Sequence, residues 1–152
     1  MSLDAERPPA GPFAVAEDVP VRFRDTDAMG HVNNAVYLTY LEVGRQAYWQ
    51  RFSRPGSYNA VPFVLAHVCI DFRAEAHVGE VVRVLLRTTW VSRSSFAMEY
   101  ELRERDSGVL LATAETVQVT YDYQAKRSIA VPEWLRQELE RVEGRALPSR
   151  PS

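Results

Sequence analysis

The chain has 152 residues, of which 46% are hydrophobic and 25% charged, and its formal net charge is −2. This size and composition indicate one globular domain, and the near balance of charge disfavours a general nucleic-acid-binding role. One cysteine, Cys69, excludes an internal disulfide and a thiolate metal cluster. Apolar runs are too short for a membrane span and the N-terminus lacks a signal-peptide core, so we expect a cytoplasmic protein without a membrane partner.

The single domain is expected to span residues 17–143. Residues 1–16 are rich in alanine, proline and glutamate, which is typical of a flexible tail, and residues 144–152 are expected to fray as a second one. At the start of the domain, the alternation of Val19, Val21 and Phe23 with polar residues predicts a short strand with one buried face.

A polar motif connects this strand to a long apolar segment. The motif is Asp25-Thr26-Asp27-Ala28-Met29-Gly30-His31-Val32-Asn33-Asn34. Asn33 and Asn34 are favourable N-cap residues, so a helix is predicted from there to about Phe52. Apolar side chains on most of its faces are typical of an enclosed helix. Its first turn offers free N–H groups, which suit an oxyanion or a polarised carbonyl.

The second half of the chain predicts antiparallel sheet. Alternating patterns mark long strands at 63–74, 81–91, 96–105 and 109–123, with a hairpin turn at Asp106-Ser107-Gly108. A short helix is predicted from Pro132 to about Val142. In the first of these strands, one face is expected to carry Val64, Ala66, Val68, Ile70 and Phe72.

This order of elements predicts one architecture. A helix that is apolar nearly all round needs a cover, and long strands can curl around it. An α+β fold, in which an antiparallel sheet wraps around one long central helix, satisfies both patterns.

The motif and the element order resemble the hotdog-fold acyl-CoA thioesterases of the 4-hydroxybenzoyl-CoA thioesterase type. The resemblance covers about residues 17–143 and is most specific at Asp-x-Asp-x-x-Gly-x-Val followed by a Tyr-bearing helix. The His-Val-Asn-Asn version is similar to the branch with bacterial fatty acyl thioesterases and plant acyl-carrier-protein thioesterases. The resemblance implies hydrolysis of acyl-CoA to free acid and CoA, in lipid metabolism, and the chemistry requires no metal or redox cofactor.

The resemblance also implies roles for the motif residues. The catalytic carboxylate corresponds to Asp27, and the backbone N–H that polarises the thioester carbonyl corresponds to Asn34. His31 stands where the benzoyl branch often has an apolar residue, which disfavours an aromatic substrate. Whether His31 joins Asp27 and Asn34 in catalysis stays open. Substrate-binding residues are expected at Gly30, Asn33, Tyr37, Ser94 and Ser95.

Several of these residues have structural interpretations as well. Asp27 also suits a turn cap, Asn33 an N-cap, and Tyr37 a place in the core. Asp25 is expected to be a turn or supporting residue. Ser94 lacks the Gly-x-Ser-x-Gly context of a serine nucleophile, so a serine hydrolase is disfavoured.

Two chemical routes fit a carboxylate beside a helix N-terminus. Asp27 acts either as a general base on water or as a nucleophile that forms a mixed anhydride. In both routes, donors at the helix start stabilise the negative charge on the carbonyl oxygen, by about 3 kcal/mol each in other oxyanion holes. The residues do not choose between the routes.

The resemblance further implies a homo-oligomer. Its members form dimers with helices side by side and active sites at the subunit junction, often paired into homotetramers, and residues 92–95 match a segment that borders the partner's site. Four functions remain open: an acyl-CoA thioesterase, an acyl-carrier-protein thioesterase, a hotdog hydratase or dehydratase, and a non-catalytic acyl-CoA-binding module. The residues leave the acyl chain undetermined.

Overall fold

A computed structural model describes residues 13–53 and 61–152, so most of the predicted tail at 1–16 and of the loop at 53–61 lies outside the described residues. Its helices and strands follow the predicted order. They are β1 (Val15–Pro20), a 3-10 turn (Phe23–Asp25), α1 (Val36–Trp49), β2 (Phe63–Phe72), β3 (Val81–Val91), β4 (Ser95–Glu104), β5 (Leu110–Asp122), β6 (Arg127–Ser128) and α2 (Glu133–Glu143).

One antiparallel sheet has the strand order β1-β3-β4-β5-β2, and the short β6 pairs with β5. Helix α1 packs on one face of this sheet, which confirms the predicted α+β fold. The core between them is apolar and aromatic. Its fully buried side chains include Tyr37, Tyr40, Leu41, Tyr48, Val84, Leu86, Phe96 and Tyr100. Among the described helices, none is long and apolar enough to cross a membrane.

Helix α1 approaches β3 closely at Gly44. A Cβ atom at this position would lie 2.8 Å from Cγ1 of Val84, which is closer than packed carbon atoms approach each other. The missing side chain therefore lets α1 lie directly on the sheet.

The first strand differs from its prediction. β1 spans Val15–Pro20, and Phe23, predicted on a buried face, is 83% exposed. Pro20 is the last residue of the strand, because the chain beyond it turns into the 3-10 turn at Phe23–Asp25. The apolar alternation from Val19 to Phe23 therefore continues in the sequence beyond the last residue of the strand.

Helix α1 is shorter than predicted at both ends. It has 14 residues, about 21 Å at the standard rise. Asn33 and Asn34 lie in a turn before it, since the N–H of Val36 bonds the carbonyl of Asn33 at 2.8 Å. Beyond Trp49 the chain continues as a turn, in which Phe52 N–H bonds the Trp49 carbonyl at 3.1 Å.

Strand β2 contains an irregularity that alternation could not predict. Leu65 pairs with Gln118 and His67 with Val117, so Ala66 is an extra residue in the strand. The faces exchange at this bulge, and Leu65 rather than Val64 shares a face with Val68. The prediction of one continuous face from Val64 to Phe72 is therefore wrong for its first two residues.

The C-terminal region packs against the sheet. α2 agrees with its predicted bounds to one residue at each end, and its Leu135 and Leu139 are buried. Beyond it, Leu147 is 8% exposed and the Pro148 carbonyl accepts a hydrogen bond from Val91 N–H at 2.9 Å. Leu147 therefore packs into the core and Pro148 bonds to β3, instead of fraying as expected.

Candidate active site

The polar motif folds into a tight turn that presents Asp27. Asp27 N–H donates to the His31 carbonyl at 2.8 Å, and Gly30 N–H donates to the Asp27 carbonyl at 3.1 Å. An antiparallel bridge between Thr26 and Val32 closes the turn. Gly30 has a φ of 82°, a conformation that residues with a side chain rarely adopt. The glycine of the motif is thus explained by the turn itself.

Asp25 supports this turn from inside the protein. Its carboxylate is buried and accepts hydrogen bonds from Arg22 N–H at 2.9 Å, the Arg22 guanidinium at 2.9 Å and Tyr40 O–H at 3.0 Å. Burial opposes ionisation, but the hydrogen bonds outweigh it and hold the pKa of Asp25 below its usual value. Its backbone carbonyl accepts from Asn33 N–H at 2.9 Å. Asp25 therefore ties the motif to α1, in the supporting role predicted for it.

Asp27 caps the turn and also borders a cavity. Its Oδ1 accepts hydrogen bonds from Met29 N–H at 2.9 Å and His31 N–H at 3.4 Å. Within the described ranges 13–53 and 61–152, no hydrogen bond engages Oδ2. The side chain is exposed and lines a cavity of about 400 Å³. One oxygen thus holds the backbone while the other is available to a ligand.

A backbone donor lines the same cavity. Asn33 Oδ1 accepts from Ala35 N–H at 3.0 Å, which caps the turn before α1. In the part of the chain that the structure describes, the N–H of Asn34 has no hydrogen-bond partner, and Asn34 lines the cavity together with Asp27. Of the predicted substrate-binding residues near the motif, Gly30 and Asn33 shape the backbone and are absent from the described cavity lining.

Tyr37 belongs to the core and to the cavity wall at once. The residue is 2% exposed, and its ring contacts Phe72 edge-on at 5.1 Å between centroids. Burial raises the pKa of its hydroxyl, so the group is neutral at ordinary pH. Tyr37 and Phe72 both line the cavity. The two interpretations of Tyr37, a core residue and a substrate-binding residue, are therefore compatible.

His31 faces residues that sequence reasoning did not assign to the site. Its Nε2 lies 3.0 Å from Glu75 Oε2, and Glu75 and Arg73 complete the wall of the cavity. These residues follow β2, and the hydrogen bond from Val32 N–H to the Ala76 carbonyl at 2.9 Å brings them to the motif. No local pattern marks them, because this contact joins segments more than forty residues apart.

Ser94 and Ser95 lie at the other end of the sheet in the same chain. The Ser94 carbonyl accepts from Thr120 N–H at 2.9 Å, and Ser95 pairs with Val119. The Asp27 cavity is bordered by Phe72, which pairs with Ala112 on the same strand β5. Positions 112 and 119 of a strand are about 23 Å apart. One chain therefore does not bring the serines to Asp27.

A comparison with protein families shows which superfamily the chain belongs to. A family model described as "Thioesterase-like superfamily" matches residues 21–139, which include the motif, α1 and strands β2–β5. The chain belongs to this superfamily. It is a thioester hydrolase with the hotdog fold.

Solved and curated relatives of this hydrolase agree with the family. A thioesterase from Thermus thermophilus, solved in complex with coenzyme A and Zn, is 38% identical, with a TM-score of 0.80 over 90% of this chain and 98% of that one. A 1,4-dihydroxy-2-naphthoyl-CoA hydrolase from Synechocystis is 29% identical over 74% of this chain and 85% of its own. The long-chain acyl-CoA thioesterase FadM of Escherichia coli is 24% identical over 82% of this chain and 96% of its own. The narrower 4-hydroxybenzoyl-CoA type stays a prediction.

Proposed function

We propose that this thioester hydrolase cleaves acyl-CoA to free acid and CoA, with Asp27 as its catalytic carboxylate. The observation that carries the proposal is the pairing of two groups in one cavity. Asp27 offers a carboxylate oxygen without a partner in the described residues, and Asn34 offers a free backbone N–H before α1. The relatives named for acyl-CoA hydrolysis support the substrate class.

In the proposed reaction, the Asn34 N–H donates to the thioester carbonyl oxygen, where negative charge develops. Asp27 takes a proton from water, and the water oxygen attacks the carbonyl carbon to form a tetrahedral intermediate. The intermediate collapses, the carbon–sulfur bond breaks, and the leaving thiolate of CoA takes up the proton that Asp27 had accepted, which restores the carboxylate. In the alternative route, Asp27 attacks the carbonyl carbon directly, the carbon–sulfur bond breaks and the CoA thiolate leaves. Water then hydrolyses the mixed anhydride, which releases the acid and regenerates the Asp27 carboxylate.

Charge distinguishes this cavity from another on the opposite face of the sheet. That second cavity has about 510 Å³, and in its lining the four carboxylates of Asp71, Glu99, Glu101 and Glu115 outnumber one guanidinium, that of Arg87. Such a lining repels the phosphates of CoA. The Asp27 cavity has two carboxylates in its wall, Asp27 and Glu75, and one guanidinium, that of Arg73. The balance of charge therefore favours the Asp27 cavity for a CoA ester.

A panel of thioesters tests this function. The purified chain is incubated with aliphatic and aromatic acyl-CoA esters, the same acyl groups on acyl-carrier protein, and an enoyl-CoA, and free thiol is measured. We expect thiol release from acyl-CoA, and faster release from aliphatic than from aromatic esters. Faster release from the carrier protein, or consumption of enoyl-CoA without thiol, would replace the proposal by the corresponding alternative. Binding of acyl-CoA without turnover of any ester would indicate a binding module.

The oligomer that we propose pairs two copies through β2. This strand of ten residues pairs only with β5 in the described structure, so its other edge carries unpaired backbone groups. Long open edges with apolar side chains invite pairing with another chain. Beside this edge, α1 and β2 expose Leu38, Leu65, Val68 and Phe72.

Antiparallel pairing of two β2 edges would complete the site. The Phe72 end of β2 borders the Asp27 cavity, whereas the Phe63 end lies beside Thr120, which bonds Ser94. A two-fold axis between the edges places the Phe63 end of one copy near Asp27 of the other. The serines, remote from Asp27 in one chain, then approach the partner's cavity as the resemblance implies. A third cavity of about 490 Å³ also lies at that end, and its apolar wall of Trp49, Phe63, Leu65 and Tyr123 suits an acyl chain. Pairing of dimers into a tetramer and a cytoplasmic location stay predictions.

Val68→Lys is expected to convert the dimer to monomers and to lower hydrolysis with it. A lysine at this exposed position of the β2 edge places two like charges near each other across the two-fold axis. Sedimentation velocity at micromolar protein measures the mass, and the thiol assay measures the activity. Val109→Lys, at an exposed valine before β5, is the matched control and should leave the dimer intact. An unchanged dimer in Val68→Lys would exclude pairing through this edge.

A further inference from the structure

We propose that His31, Glu75 and His77 form a binding site for one divalent transition-metal ion of the zinc class. The three residues lie beside the Asp27 cavity, and one ligand atom of each lies within 4.8 Å of the others. His31 Nε2 and Glu75 Oε2 are already 3.0 Å apart. Ligand atoms in a tetrahedral zinc site are about 3.3 Å apart, so small side-chain rotations bring the three into place.

The backbone holds the two histidines opposite each other. His31 and His77 form an antiparallel bridge, and Val32 N–H donates to the Ala76 carbonyl at 2.9 Å. The imidazole rings are perpendicular, with 5.1 Å between their centroids. Because the main-chain bridge holds the two rings opposite each other, binding costs little rearrangement of the main chain.

Glu80 supplies the outer partner that a metal-binding histidine usually has. Its Oε1 lies 3.1 Å from His77 Nδ1 and also accepts a hydrogen bond from His77 N–H at 2.7 Å. A carboxylate at Nδ1 favours the tautomer that carries its proton there, which leaves Nε2 of His77 with a lone pair for a metal ion.

The ligand set determines which ion is preferred. Two imidazole nitrogens and one carboxylate suit Zn²⁺ and its transition-metal neighbours, whereas Mg²⁺ and Ca²⁺ prefer oxygen ligands throughout. The side chains of Glu75 and His77 are 61% and 50% exposed, so an ion reaches the site from solvent and keeps water at a fourth position. Two surface His–Glu pairs without affinity for metal are the alternative explanation of this cluster.

A bound ion would add a further link between two segments that already meet through the backbone bridge and the His31–Glu75 contact. His31 ends the turn that presents Asp27, and Glu75 and His77 belong to the connection between β2 and β3. A metal ion that binds all three residues therefore restrains the Asp27 turn. This inference does not depend on the proposed function, because binding is measured without substrate.

Titration calorimetry with zinc chloride tests the site on the full chain after removal of metal with EDTA and dialysis. We expect one Zn²⁺ per chain, no heat with magnesium chloride, and at least ~10-fold weaker zinc binding in His31→Ala and in His77→Ala. His67→Ala is the matched control, since His67 is the third histidine of the chain and lies on β2 outside the cluster. Its zinc affinity should stay within about two-fold of the wild type.

Thermal unfolding gives a second measurement that does not rely on heats of binding. Zinc should raise the Tm of the wild type and of His67→Ala, and should leave the Tm of His77→Ala unchanged. The proposal is overturned if the wild type binds no zinc, or if zinc binding survives in both His31→Ala and His77→Ala. Circular dichroism confirms that each variant is folded before titration.

Discussion

Asp27→Asn is expected to lower thiol release from acyl-CoA by about 10²–10⁴-fold, the usual contribution of a positioned acid–base group. Asparagine has the same shape and keeps an oxygen that accepts from Met29 N–H and His31 N–H, as Asp27 Oδ1 does. The turn should therefore persist, and only the charge and the basic oxygen are lost. Both routes, general base and nucleophile, need that oxygen.

The measurement for Asp27→Asn separates chemistry from binding. Release of free CoA gives kcat and KM, and calorimetry with acyl-CoA gives the affinity, which should persist. Asp106→Asn is the matched control, because Asp106 is exposed at the hairpin between β4 and β5 and is paired with Arg105. Wild-type turnover in Asp27→Asn would remove Asp27 from the mechanism and leave the hydrolase activity to other residues.

Asp25→Ala is expected to lower the free energy of unfolding by about 3 kcal/mol at pH 7. The substitution removes the acceptor of the Tyr40 hydroxyl, and Tyr40 is 2% exposed, so a buried donor loses its partner. It also removes the acceptor of Arg22 N–H at the start of the 3-10 turn. The ion pair with Arg22 adds little, because the Arg22 side chain is 62% exposed.

This effect should depend on pH with a defined sign. The pKa of Asp25 is lowered in the folded state, so the folded protein binds fewer protons than the unfolded chain at acid pH. The stabilisation is complete above the unfolded pKa of about 3.9 and is lost as pH falls through the folded pKa. Urea unfolding at pH 7 and pH 3 measures this stabilisation, and Asp106→Ala, a variant at an exposed aspartate, is the control. If the free energies of unfolding of the wild type and Asp25→Ala differed equally at both pH values, the lowered pKa of Asp25 in the folded state would be contradicted.

The two acids of one motif thus have opposite environments, and the sequence predicted part of this. The residues predicted a turn or supporting role for Asp25, whereas the catalytic role of Asp27 was implied by the family resemblance and stays a prediction. Local rules are enough to predict the turn itself, because it depends on hydrogen bonds within residues 25–33 and on the positive φ of Gly30. Alternation and helical periodicity likewise predicted the element order and the α+β fold.

The ends of elements depended on contacts that periodicity does not include. Phe23 continues the apolar alternation of β1, yet it is exposed. The Asp25 carboxylate accepts a hydrogen bond from Arg22 N–H, and this contact stabilises a turn in place of a longer strand. The bulge at Ala66 reverses the faces of β2 although its alternation is unbroken in the sequence. The first departure arises from a hydrogen bond within the local turn and the second from pairing with β5, and apolar alternation encodes neither.

By itself, the amino-acid sequence determined the fold class, the Asp27 turn and the family resemblance, because each depends on spacing over a few residues or on a repeated pattern. Only the tertiary structure decided that Glu75 and His77 face His31, and that Ser94 and Ser95 lie at the far end of the sheet from Asp27 in the same chain. Strand register sets these neighbours, and register results from the packing of the whole sheet on α1.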